Sequence, residues 1–264
     1  VPVDKVRLLQ GDSDQLIAGG GTGGSKSAIT SGGAIAEVAD AVIEKGRQAA
    51  AHVLEAAVAD IEFDNGKFEI AGTDRRVALL DLAATLRTRA DLPADVPASL
   101  DTELKHEPGP SAFPNGAHVA EVEIDPATGV TRVVKYSAVD DFGTILNPMI
   151  VEGQVHGGVA QGLGQALLEN VVYDDHGQPL TGSYMDYAMP RADHMPSISL
   201  GFHAVPATSN RLGVKGCGEA GCSGALGAVM NAVVDALAAH GVRHIDMPAT
   251  PEKVWRALNP PKEA

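Results

Sequence analysis

The stretch HVAEVEID-PATG-VTRVVKYSAVDD, residues 118–141, decides how this chain folds. Residues 118–125 alternate between polar and apolar, the period of a half-buried strand. Pro126, Ala127, Thr128 and Gly129 turn the chain, and residues 130–141 return as a second strand. A helix is expected next, from about Pro148 to Glu169. Pro148 would sit in its first turn, where a missing N–H does no harm.

Further downstream, the pattern predicts a hairpin around Asp174–Gly177 and a strand over 196–205. Residues 220–239 are small and apolar nearly all round, as in buried helices. A short strand near 243–246 and a helix over 250–258, opened by Thr250 and Pro251, complete the chain. Upstream, residues 3–9 read as a short strand and Gly11 to Ser31 as a glycine-rich loop. Ile35, Val38, Ala39, Val42 and Ile43 give a long helix over 32–59, with a bend expected at Gly46. Strands 60–63 and 67–70 meet at Asn65-Gly66, a strong hairpin turn, and 78–88 reads as a short helix.

Pro93, Pro97, Pro108, Pro110 and Pro114 mark residues 89–116 as a connector. The expected organisation is a first subdomain over 1–90 with the glycine-rich loop, a proline-rich connector over 91–116, and a second subdomain over 117–264. Strands and helices mix without regular βαβ alternation, so the class is α+β.

A chain of 264 residues can bury a sizeable core. Its formal charge of −14 repels nucleic-acid phosphates and anionic lipid headgroups, so neither nucleic acid nor membrane is an expected partner. No uninterrupted apolar run of about 18 residues is read, and no membrane span is expected. Two cysteines, Cys217 and Cys222, are too few for a disulfide framework or an iron–sulfur site within the chain, so a reducing, cytoplasmic setting is expected. Val1 to Val6 begins without Met, is no signal peptide and reads as a strand interior, as in a fragment, a processed subunit or a trimmed chain.

Three segments can carry chemistry. GDSDQLIAGGGTGGSKS (11–27) offers crowded backbone N–H groups and the hydroxyls of Thr22, Ser25 and Ser27, with a helix start expected near Gly32. An anion cradle and a plain surface loop both account for it. It lacks the GK[ST] of a P-loop, and the expected helix follows too late for a dinucleotide fingerprint. Asp12 and Asp14 lack the further ligands of a calcium loop.

GQVHGGVAQGLGQ (153–165) carries Gln154, His156, Gln161, Gln165 and five glycines in a helical stretch. Glycine costs helix stability, so either another backbone or a ligand approaches closely. His156 has no second ligand at metal spacing and reads as structural.

LGVKGCGEAGCSGALGAV (212–229) presents Glu219 among glycines just before an apolar helix. It is either a first-turn acid favoured by the helix dipole or a carboxylate facing a cavity, where it could accept a proton. Lys215 reads as a phosphate partner or a solvated surface charge, the surface reading being preferred, and the two cysteines as small apolar residues.

Taken in order, GDSD (11–14), GGTGGSKS, GAHVAEVEIDPATG, DDFGTILNP, VEGQVHGGVAQGLGQALLE, YMDYAMPRADHMP and LGVKGCGEAG resemble the molybdopterin-binding large subunit of bacterial molybdenum hydroxylases. That family spans xanthine dehydrogenases, aldehyde oxidases and oxidoreductases, aerobic carbon monoxide dehydrogenases and N-heterocycle oxidoreductases, and the likeness covers nearly the whole chain.

The resemblance implies two α/β subdomains with mixed sheets. It implies cofactor contacts at Gly23, Gly24, Ser25, Lys26, Ser27, Gln154, Gly216, Cys217 and Gly218, with no metal ligand from the protein. Glu219 matches the family's glutamate beside the molybdenum, the base in an oxidative hydroxylation that takes its oxygen from water. The implied cofactor is molybdenum pterin cytosine dinucleotide, with iron–sulfur clusters and FAD on partner subunits and a small-molecule substrate. The family's large subunit is much longer, so the chain is expected to need an upstream half. A glycine-rich anion- or nucleotide-binding module without redox chemistry, or a non-catalytic fragment, are the competing readings.

Overall fold

The structure is a computed structural model that describes residues 1–16, 19–89 and 92–261. Ile17 and Ala18 of the glycine-rich loop, and the expected subdomain boundary at Ala90 and Asp91, lie outside the described residues.

The chain forms two compact units, one of Val1–Gly21 and Thr30–Pro108, the other of Thr22–Ile29 and Gly109–Ala264. The first unit contains most of helix α1 (Ser27–Leu54), an antiparallel sheet of β1 (Ile61–Asp64), β2 (Lys67–Ile70) and β3 (Arg76–Ala78), and helix α2 (Leu79–Thr88). Asn65 and Gly66 both have positive φ, the requirement of a two-residue primed turn, so the hairpin forms where the sequence places it. Residues 3–9 form no strand; a 3-10 turn occupies Val3–Lys5.

Helix α1 starts five residues earlier than expected and runs without a break through Gly46. Gly46 is a seat rather than a bend: a Cβ there would lie 2.1 Å from the Phe68 ring, the buried centre of this unit. Gly33 likewise leaves room for His106. The early start places Gly23–Lys26 directly before the first helical turn.

The second unit is built on β4 (Asn115–Ile124) and β5 (Thr131–Asp141), antiparallel, with β6 (Ile198–Phe202) parallel to β5. A parallel neighbour requires a long crossover, which α3 (Pro148–Leu167) begins. Asn147 caps α3 by accepting from the Ile150 N–H, and Pro148 occupies the first turn as expected. Helix α4 (Ala220–Leu237) packs against α3 and β4, and α5 (Pro251–Leu258) is capped by Thr250. Tyr136, Phe142, Val155, Val159, Val229 and Val233 centre the core.

The expected strand near 243–246 is absent, and residues 242–246 carry no regular structure. Ala220–His240 is long and apolar enough to cross a bilayer by length and composition, contrary to the reading of the sequence. Its packing against α3 and β4 gives that apolarity a core role.

The five glycines of α3 divide between the two readings made of them. A Cβ on Gly158 would come within 2.9 Å of the Cys222 backbone nitrogen, and one on Gly162 within 2.6 Å of the Ala225 Cβ. Gly164 is likewise filled, by Glu169 and Pro190. Gly153 and Gly157 meet nothing within 4 Å and are exposed beside Gln154 and Gln161.

Candidate functional site

Residues 213–215 pair with the segment just after β5. Gly143 bridges Val214, the Lys215 N–H donates to the Phe142 carbonyl, and the Thr144 N–H to the Gly213 carbonyl. The sequence reading of Lys215 as a surface charge is corrected here. Its side chain is only 12% exposed, and its ammonium lies 2.5 Å from Asp141 Oδ2. Burial by itself raises the Asp141 carboxyl, but hydrogen bonds from Lys215 and the Val205 and Gly143 N–H groups outweigh it, leaving a value of about 2. This ion pair roots the segment that carries Gly216, Cys217, Gly218 and Glu219.

From that root, Gly216 runs against the glycine-rich loop. A Cβ on Gly216 would lie 1.9 Å from the Ser25 carbonyl oxygen, so only glycine permits the approach. Gly24 and Ser25 both have positive φ, at 63° and 54°; for Ser25 this is a strained, left-handed conformation. The strain is held by two bonds: the Ser25 hydroxyl donates to Glu219 Oε2 at 2.8 Å, and the Glu219 N–H donates to Ser25 Oγ at 3.0 Å.

This contact sets the direction of the Glu219 side chain. Glu219 occupies the N-cap position of α4, but its side chain caps no helical N–H. It is turned to Ser25 and is exposed at the mouth of a cavity.

Ser25 stands between two cavities. The first, about 570 Å³, is lined by Gly24, Ser25, Glu219, Ser223 and the end of the connector at Phe113–Asn115, with His118 and Asp140 on its wall. The second, about 400 Å³ and mostly apolar, is lined by Ser25, Ser27, Gln154, Gly216, Cys217 and Gly218. Six of the residues singled out in the sequence thus surround one cavity, while Gly24 and Glu219 face the other. Gly23 and Lys26 are exposed on the same loop. The Ser27 hydroxyl bonds Thr22.

His156 Nδ1 bonds the Glu152 carbonyl, the structural role expected of it. Asp12 accepts from the Asp14 N–H and the Gln15 amide in a local turn. Both cysteines are half-buried free thiols with acidity lowered by burial.

The sequence reading missed a buried array on the first cavity's wall. His118 Nδ1 lies 2.7 Å from the Tyr136 hydroxyl and Nε2 lies 3.1 Å from Asp140 Oδ1. A signal was present: His118 is in phase with Ala120, Val122 and Ile124, and Asp140 with Tyr136 and Ala138, so both polar residues fall on core-facing positions.

Residues 1–196 match the family model described as molybdopterin cofactor-binding domain. Over 97% of its length the chain is 38% identical to the nicotine 6-hydroxylase large subunit of Paenarthrobacter nicotinovorans, of which it covers 32%. It superposes on quinoline 2-oxidoreductase from Pseudomonas putida 86 with a TM-score of 0.80 and 38% identity, covering 90% of this chain and 31% of that one. For reconstituted CO dehydrogenase from Oligotropha carboxidovorans the TM-score is 0.83 and the identity 33%, covering 92% and 30%. The chain spans about a third of the length of these proteins.

Proposed function

The chain belongs to the molybdopterin cofactor-binding domain family, and we propose that it is the C-terminal, cofactor-holding part of a molybdenum hydroxylase with Glu219 as the base. The observation that carries this is the reciprocal Ser25–Glu219 pair, which presents a carboxylate at a cavity mouth instead of spending it on the helix.

The residues fit the group. Exposed backbone at Gly23 and Gly24, the hydroxyls of Ser25 and Ser27, Lys26, and the amide of Gln154 are donors suited to an anionic pterin nucleotide. Gly216, Cys217 and Gly218 keep the facing wall low. Among the described residues no group of three or more His, Cys, Asp or Glu could hold a metal ion; in the proposed cofactor the pterin itself would hold the metal. We assign the cofactor as molybdenum pterin cytosine dinucleotide; when bound it supplies the two-electron redox chemistry of a hydroxylation that takes oxygen from water.

Glu219 accepts the proton released as water's oxygen is transferred. Ser25 fixes Oε2 and leaves Oε1 as the acceptor, so the carboxylate is oriented before the reaction. The substrate is an aldehyde, an N-heterocycle or a similar small molecule. The upstream half of the large subunit supplies the rest of the pocket, iron–sulfur and FAD subunits take the electrons, and the assembly is cytoplasmic.

Glu219→Gln in the complete protein tests the reading. Hydroxylation should fall by about 10²–10⁴-fold while molybdenum and pterin content stay unchanged. Normal turnover by that variant would overturn it. Native protein devoid of molybdenum that binds a nucleotide phosphate tightly would favour the non-redox module instead.

A further inference from the structure

The crossover that leaves α3 and returns as β6 turns large apolar side chains to the outside. Val171, Val172, Tyr173 and Leu180 stand exposed on a hairpin, and Tyr184, Met185 and Met189 stand exposed in the turns that follow it. Tyr184 is 82% exposed and Met185 94%. A single exposed apolar residue is ordinary, but a concentration of them marks an interaction surface.

Backbone and polar groups hold the segment in this shape. Tyr173 bridges Pro179, the Leu180 N–H donates to the Val172 carbonyl, and the Val172 N–H donates to Thr181 Oγ1. The Ser183 hydroxyl donates to Asp186 Oδ2 and closes the next turn. Tyr187 donates its hydroxyl to Glu169 Oε2 at 2.5 Å, which ties that turn to the foot of the hairpin. Tyr184, Met185, Tyr187 and Met189 together line a concavity of about 520 Å³. Polar groups are thus satisfied inside the crossover while apolar side chains face out. That is the reverse of a solvated loop and the pattern of a preorganised interface.

Charge chooses among partners. Residues 171–189 contain Asp174, Asp175 and Asp186 and no Lys or Arg. An isologous pairing of two copies would set this acidic rim against itself, which like charges oppose. An anionic lipid surface is repelled for the same reason. The face suits a different polypeptide surface, apolar at its centre and rimmed by Lys or Arg. The chain covers 32% of the nicotine 6-hydroxylase large subunit, so most of such a subunit lies outside it.

We propose that the 171–189 crossover docks the upstream part of the large subunit, against an apolar face with a basic rim. This rests on reading the chain as the C-terminal part of a molybdenum hydroxylase.

Methionine oxidation tests it, because peroxide converts an accessible thioether to its sulfoxide. The complete protein is treated with hydrogen peroxide beside a Met-containing reference peptide, and sulfoxide at Met185 is followed by mass spectrometry. The measurement is repeated on the large subunit alone, stripped of other subunits and diluted to a monomer, with circular dichroism confirming that it stays folded. In both samples Met185 should oxidise on the order of tenfold more slowly than the peptide.

A Met185 rate close to that of the peptide in the complete protein overturns the proposal, and needs no variant to fold. So does protection that is lost when the other subunits are removed, which assigns the face to one of them. Protection that is lost on dilution assigns it to a second copy and overturns the proposal equally. No arm reads molybdenum or turnover, so normal hydroxylation by Glu219→Gln would sink the catalytic role and leave this test intact.

Discussion

Two regions of the second unit are built from glycine, and they end differently. In the seam between α3 and α4, Gly158, Gly162 and Gly221 let two helices approach backbone to backbone, and the result is buried and apolar. At the rim of the cavities, Gly216 lets the 213–219 segment meet Ser25 just as closely, yet the product is a half-exposed hydroxyl and an exposed carboxylate. Close approach is common to both. What differs is the polar groups it strands: the seam's amides are spent on helical hydrogen bonds, whereas the rim's strained loop leaves side chains to complete each other.

Breaking the rim at its root should give the largest effect. Lys215→Met leaves the buried Asp141 carboxylate with only the Val205 and Gly143 N–H groups and no cationic partner, and should cost about 3–5 kcal/mol by denaturant unfolding. The sign with pH follows from the carboxyl held near 2 in the fold against its ordinary 3.8. The pair stabilises fully above the ordinary value and its contribution is lost as pH falls toward 2. The gap between wild type and variant should therefore be constant from pH 5 upward and narrow between pH 4 and 2; a gap that widens on acidification would refute the assignment.

The seam comes next. Gly158→Val drives a branched side chain into the Cys222 backbone, and overpacking of about 3 kcal/mol is expected in thermal melts. Ser25→Ala removes two hydrogen bonds from a half-exposed position, so stability should drop by only about 1 kcal/mol. On the role proposed for Glu219, the hydroxylation rate of the complete protein carrying Ser25→Ala should fall by more than that stability loss, measured as kcat. The smallest effect has the opposite sign. Gly157, on the outer face of the same helix, meets nothing, so Gly157→Ala should stabilise by about 0.5–1 kcal/mol through helix propensity alone. If Gly157→Ala instead destabilised as Gly158→Val does, the distinction between seam and open face would be wrong.

Much of this was legible in the sequence because it is local. The Asn65-Gly66 hairpin, the β4–β5 pair and the Pro148 and Thr250 helix starts follow from turn chemistry, period-2 alternation and capping. The misses came where partners are remote. Helix α1 was begun late because Gly11 to Ser31 read as one glycine-rich loop, whereas the helix already starts at Ser27 and keeps Gly33 inside it as the slot for His106. Lys215 read as surface because Asp141, its partner, is 74 residues away. His118 and Asp140 were passed over although their phase put them on the core-facing side of their strands.

By itself, the sequence determined the α+β class, the order of the principal elements and, through an ordered set of motifs, the cofactor-binding family. Those are properties of spacing and residue type, and spacing survives without coordinates. Only the tertiary structure decided which glycines are packing and which are open, that Glu219 answers to Ser25 rather than to its own helix, and that one oxygen of Asp140 is left without a partner. Each of those depends on atoms brought together by the fold from distant parts of the chain, where hydrogen-bond satisfaction and steric room are set by three-dimensional neighbours.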